Sequence, residues 1–148
     1  MNKTLKYGLI GGGSLAVVAV AILLYLYFMP HPDIQSEIVD MTITADELVN
    51  DFLKDTDASN KKYLDKIVVV TGIVAKIEED QLKQKVVLLK TESSGVNCTF
   101  MIETNKSAEK LNTGDNVKIK GIVRLGASYD EDLDMSEYAI IEKCDVIK

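Results

Sequence analysis

Apolar positions in this chain follow three patterns. From Tyr7 to Met29 they run without a charge: 18 of those 23 residues are hydrophobic, and the rest are Gly8, Gly11, Gly12, Gly13 and Ser14. At ~1.5 Å per residue such a run makes a helix of about 34 Å, enough for a hydrocarbon core of about 30 Å. Between Ala45 and Lys54 the period is helical, with Leu48 and Phe52 four apart and Val49 and Leu53 beside them. From Lys66 onward the period falls to two and β-branched residues dominate.

The first pattern predicts an uncleaved transmembrane anchor. The run ends in Tyr25-Leu26-Tyr27-Phe28-Met29-Pro30, which is bulky where a signal-peptide cleavage site needs small residues. The first cysteine, Cys98, comes too late for lipid attachment just after the run. Lys3 and Lys6 precede the span, while Asp33, Glu37 and Asp40 follow it, so the amino terminus is expected in the cytoplasm. This divides the chain into a cytoplasmic stretch 1–6, a span 7–29, a linker 30–43 and a domain 44–148. The expected address is the cytoplasmic membrane, crossed once, with the domain periplasmic or extracellular. His31, between Pro30 and Pro32, is a linker residue that neither continues a helix nor faces a second histidine.

The remaining patterns predict a mainly β domain with a preceding helix. Thr44-Ala45-Asp46-Glu47 has the form of a capping box and opens a helix over 45–54. A polar break at 55–60 and a short helical turn at 61–64 follow. Strands are expected over 66–78, interrupted by Gly72, then 86–89, 96–103, about 116–124 and 138–147, with a short helix or loop at 104–112 and a loop at 126–137. Gly72 inside the first strand marks a bulge or bend. A long bent strand, a meander, an insertion and two further strands make the order of a five-stranded OB-fold barrel.

Charge and chemistry narrow the function. The 148 residues carry 17 Lys and Arg against 23 Asp and Glu, a net charge of −6. Setting aside Lys3 and Lys6 leaves 15 basic residues and a net −8 for the exported part. This disfavours an electrostatic grip on nucleic acid. Two cysteines and one histidine give no zinc set, no Cys-His pair and no Ser-His-Asp set, so neither catalysis nor a cofactor or metal is expected. The acidic stretch 130–137 alternates carboxylates as a calcium loop does. It lacks the Gly at the sixth place and the Glu at the twelfth, where Ile141 stands, and a solvated loop is expected.

Four segments resemble the tRNA_anti-like OB-fold family: 62–72 (KYLDKIVVVTG), 96–100 (VNCTF), 111–121 (LNTGDNVKIKG) and 142–144 (EKC). The resemblance covers roughly 45–147. It implies an OB barrel akin to the anticodon-binding domains of tRNA synthetases, often exported or membrane-attached, and carries over no active-site residues. It also implies that the third and fifth strands are neighbours, bringing Cys98 near Cys144 as candidates for a disulfide; two reduced core thiols are the other reading. The candidate ligand face comprises Asn97, Thr99 and Met101, outward on the third strand, with Lys118, Lys120 and Arg124, outward on the fourth. The expectation is a non-catalytic, membrane-tethered binding module whose partner is a protein or peptide. Single-stranded nucleic acid or an oligosaccharide is the alternative occupant of such a barrel.

Overall fold

The computed structural model describes residues 3–29 and 33–148, with side chains from Ala16 onward within those limits. Two units emerge, Met1–Pro32 and Asp33–Lys148. The first holds helix α1, Lys3–Phe28, 26 residues long. The expected span 7–29 is thus largely helical, but the side chains of 7–15 lie outside the described residues, as does the linker reading of Pro30, His31 and Pro32. Among the described residues no helix is long and apolar enough to cross a membrane. Side chains from Val17 to Met29 are all exposed.

The second unit begins with β1, Met41–Thr44, which runs directly into α2, Ala45–Lys54. The capping box forms as the sequence predicts: Thr44 Oγ1 accepts from the Glu47 N–H at 3.2 Å, and Glu47 Oε2 accepts from the Thr44 N–H at 3.1 Å. After α2 comes α3, Thr56–Tyr63, where a polar break was expected. Asp55 caps it by accepting from the Ala58 N–H at 3.0 Å, which lets a segment without apolar periodicity start a helix.

Five strands then close a barrel: β2 (Ile67–Glu79), β3 (Lys85–Lys90), β4 (Gly95–Phe100), β5 (Asn116–Leu125) and β8 (Ala139–Ile147). A 3-10 turn at Ile102–Thr104 and helix α4, Asn105–Ala108, lie between β4 and β5. A hairpin of β6 (Ser128–Asp130) and β7 (Met135–Glu137) stands in the expected loop between β5 and β8. The sheet order is β1-β2-β3-β4-β8-β5, and a β2–β5 pairing closes the ring. Within the barrel only the β4–β8 pair is parallel. This is the OB arrangement, with β1 added in parallel along the outer side of β2.

β2 serves two neighbours. Its first half pairs with β5 from Ile67 to Ile73, and its second half with β3 from Ile73 to Glu79. The register slips between Val74 and Lys76, and there the strand turns from one neighbour to the other. Inside lie Val68, Val70, Val74, Val87, Leu89, Val96, Cys98, Phe100, Ile119, Val123 and Ile141, joined by Leu48, Val49 and Phe52 of α2 and Tyr63 of α3. In β8 strict alternation does not hold. Ala139, Ile141 and Cys144 are buried, because a register shift around Glu142 and Lys143 resets the alternation. Lys143 takes φ 54° to make that bulge.

Phe52 is fully buried, and the backbone of Gly126 presses on its ring so closely that a methyl group there would meet Phe52 Cδ1 at 2.1 Å. We predict that Gly126→Ala lowers unfolding free energy by about 1–3 kcal/mol. In a Phe52→Leu background the same change should cost measurably less, since the obstructing ring is gone. Urea denaturation of the four proteins of this cycle checks it; equal penalties in both backgrounds would contradict the contact.

Candidate binding surface

In an OB barrel the outer face of the second and third strands, with the loops between strands one and two and between strands four and five, takes ligands. Here that face belongs to β3 and β4. Strand alternation drives Val96, Cys98 and Phe100 inward and leaves Asn97 and Thr99 half-buried outside, with Met101 just beyond the strand. Across the ladder Leu88 stands opposite Asn97, Val86 opposite Thr99 and Lys90 opposite Gly95.

The two halves of the expected ligand face do not join. Lys118, Lys120 and Arg124 lie on β5, and β8 separates β5 from β4. Lys118 is exposed. Lys120, expected to point to solvent, is corrected: it is only 3% exposed. Residues 33–40, which read as linker in the sequence, lie over it. Its Nζ donates to the backbone carbonyl of Gln35 at 3.1 Å and to that of Glu37. Ile34 of the same segment is buried, and Gln35 Nε2 donates to Asp145 Oδ2 at 2.7 Å. Arg124 is ion-paired with Asp65 and, at 3.4 Å, with Glu142. Of the three cations one is consumed by main chain and one by two carboxylates, so they form no phosphate track.

What reaches the β3–β4 face instead is Tyr138, half-exposed where β7 leads into β8. Gly95 makes room for it: a methyl group at Gly95 would meet Leu88 Cδ1 at 2.8 Å and Tyr138 Cδ1 at 3.2 Å. The hairpin is tied to the β3–β4 turn by Ser94 Oγ donating to the Glu137 carbonyl at 3.1 Å and Ser136 Oγ to the Ser93 carbonyl at 3.4 Å. Tyr129, Leu133 and Met135 on that hairpin are exposed. The surface is therefore apolar at Leu88 and Tyr138, which cover Gly95, with exposed Lys90 at its edge and an acidic hairpin as its wall. Sequence reasoning missed Tyr138; its signal was a ring at the expected start of the last strand.

Three of the five carboxylates of 130–137 are engaged within the hairpin. Asp130 Oδ1 accepts from the Asp132 N–H at 2.9 Å, Asp134 from the Tyr129 hydroxyl at 2.5 Å, and Glu137 from Ser128 Oγ at 2.7 Å. That hydrogen bond from Tyr129 holds its proton more tightly and raises its pKa. Among the described residues no group of three or more His, Cys, Asp or Glu side chains is placed to hold a metal ion.

Cys98 and Cys144 are both fully buried free thiols. Burial first, then Cys98 beside it, pushes the Cys144 thiol pKa well up. A second perturbed cluster lies beside β1, in a groove of 490 Å³ lined by Met41, Ile43, Glu47, Asp51, Lys62 and Tyr63. The Tyr63 hydroxyl and Lys62 Nζ both donate to Asp51 Oδ2, at 2.5 and 2.9 Å. Those bonds, Tyr63's first, hold the Asp51 carboxyl below its ordinary value. Lys62 also lies 4.6 Å from the Tyr63 ring centre. With Tyr63 packed on Phe52 at 5.7 Å, this cluster fastens α3 to α2.

A closed five-stranded barrel with this strand order defines an OB-fold domain. The sequence model of one family matches residues 14–131, and the chain belongs to that tRNA_anti-like family. No curated protein matches it. Among solved structures, one from Klebsiella pneumoniae described as a "putative nucleic acid-binding lipoprotein" is 18% identical, with a TM-score of 0.57 over 81% of this chain and 100% of that one. That likeness shows the fold alone. Asparaginyl-tRNA synthetase from Pyrococcus horikoshii is 22% identical over 59% of this chain and 20% of its own, with a TM-score of 0.40, too slight to carry an argument.

Two measurements test these assignments. Lys120→Met keeps the buried stem but abandons two carbonyls, and should cost about 2 kcal/mol in urea unfolding, whereas Lys118→Met should stay within about 0.5. Equal effects would mean Lys120 is not clasped. Because Asp51's folded pKa lies below its ordinary value, its contribution is present above about pH 4 and is lost as pH falls through the folded value. Asp51→Asn should therefore flatten the fall in melting temperature below pH 4 while lowering it at pH 7.

Proposed function

We propose that this chain is a non-catalytic OB-fold binding module, tethered to a membrane by its N-terminal helix, that presents the β3–β4 face to a protein or peptide partner outside the cytoplasm. The observation that carries this reading is the make-up of that face. Leu88, Asn97, Thr99 and Tyr138 offer apolar area and amide and hydroxyl groups, while Lys120 is buried and Arg124 doubly paired, which leaves single exposed lysines, Lys90 on β3 and Lys118 on β5, rather than a row of cations. A net −8 beyond Lys6 repels a polyanion. The tether is supported by the uncharged run 7–29, by its helical backbone and by the exposed apolar side chains from Val17 to Met29. Lys3 and Lys6 ahead of the run support an inside amino terminus. Attachment near other membrane proteins raises effective concentration, which a small interface needs.

A photo-crosslinking residue placed at Leu88 in the full chain, in membranes, should give protein adducts that one placed at Lys61 does not. Adducts equal at both positions would overturn the assignment of the face. A single-stranded oligonucleotide titrated at low salt should show no saturable binding; affinity that falls linearly with log salt would replace a protein partner with nucleic acid. Release of the chain from membranes by alkaline carbonate would remove the tether.

A further inference from the structure

The barrel has one seam unlike the others. β4 and β8 pair in parallel, a slightly weaker ladder per residue, and the pairing is broken by the bulge at Glu142 and Lys143. Cys98 and Cys144 stand on the two sides of that seam, in adjacent strands, both fully buried and both in the core cluster. Cys98 is opposite Ile141, and Cys144 is opposite Phe100, two residues along β4 from Cys98; the bulge rotates Cys144 inward. The bare backbone of Gly121 on β5 accepts the second sulfur, since a methyl group there would lie 2.8 Å from Cys144 Sγ.

We propose that Cys98 and Cys144 are an oxidation site, a disulfide that locks the β4–β8 seam once the domain is outside the cytoplasm. The inference rests on the extracytoplasmic reading for its oxidant, a dithiol–disulfide exchange protein or small disulfide of that compartment. One thiolate attacks the oxidant's disulfide and forms a mixed disulfide. The other thiolate attacks that bond, forms Cys98–Cys144 and releases the oxidant as its dithiol. Two electrons pass to the oxidant, and the two protons lost by the cysteines end on its sulfurs. Neither thiol meets solvent in the closed barrel, so the exchange takes place before β8 docks, while the chain is still open. The bond then closes a loop of ~46 residues that spans β5 and the hairpin.

The test uses the full chain recovered from the membranes of the expressing cells. Acid-quenched, denatured protein is alkylated with and without reductant and weighed intact, while protease added outside intact spheroplasts reports where the domain lies. The expected result is no adduct without reductant and two adducts after it. Reductant should also lower the melting temperature of wild type by about 5–15 °C and leave that of Cys98→Ala unmoved. Two adducts on unreduced protein overturn the inference. If the domain is then cleaved from outside, the tethered reading stands without the bond; if it is protected, both fall.

Discussion

The fold depends on one strand serving two partners. β2 must pair with β5 along its first half and β3 along its second, so it has to turn in the middle without losing its hydrogen bonds. At Gly72 a methyl group would sit 3.2 Å from both Ala45 Cβ and Leu89 Cβ, tighter than ordinary contact. The bare backbone there, in regular register with Val117 just ahead of the bend, lets α2 come down onto β2. Once α2 is seated, Leu48, Val49 and Phe52 fill the barrel, and the backbone of Gly126 can lie against Phe52 as the chain leaves β5. The position of the hairpin that walls the β3–β4 face follows from that packing.

The same architecture decides how the molecule looks electrically. Acidic residues outnumber cations in this chain, and the fold engages several of the cations internally. Lys120 holds down residues 33–37, Lys62 serves Asp51, and Arg124 bridges Asp65 and Glu142. A pair at the surface adds little stability. Its larger effect is on recognition: a guanidinium with two carboxylate partners has to be freed before it can hold a phosphate. Asp130, Asp134 and Glu137 lend their oxygens to the hairpin turn.

Much of the fold was legible because it is written in local periodicity. Thr44 and Glu47 announced α2, and alternation along 95–100 and 116–125 separated inside from outside. β1 escaped notice because four residues of alternating pattern are too few to stand out, and of α3 only the end was read, as a turn at 61–64, because only Tyr63 and Ser59 of its eight residues are buried. In β8 the pattern misled, since a bulge shifts parity and no residue type marks it. Lys120 is the clearest limit on the candidate site. Alternation says rightly that it leaves the barrel wall, but whether anything lies beyond the wall depends on carbonyls 83 and 85 residues away.

The bond from Gln35 Nε2 to Asp145 spans 110 residues, and Lys120 completes the same corner. The first and last segments of the domain therefore complete each other. A chain emerging amino end first brings out residues 33–40 early, yet Asp145, the partner of Gln35, arrives with the final strand. Until β8 is delivered, β4 and β5 each lack a neighbour and the 33–40 segment lacks one of its anchors. Such long-range closure folds late and slowly. Vectorial delivery thus leaves a stretch of time in which open strand edges are exposed, and a chain halted a few residues short of its last strand is a substrate for proteases and chaperones rather than a smaller working domain.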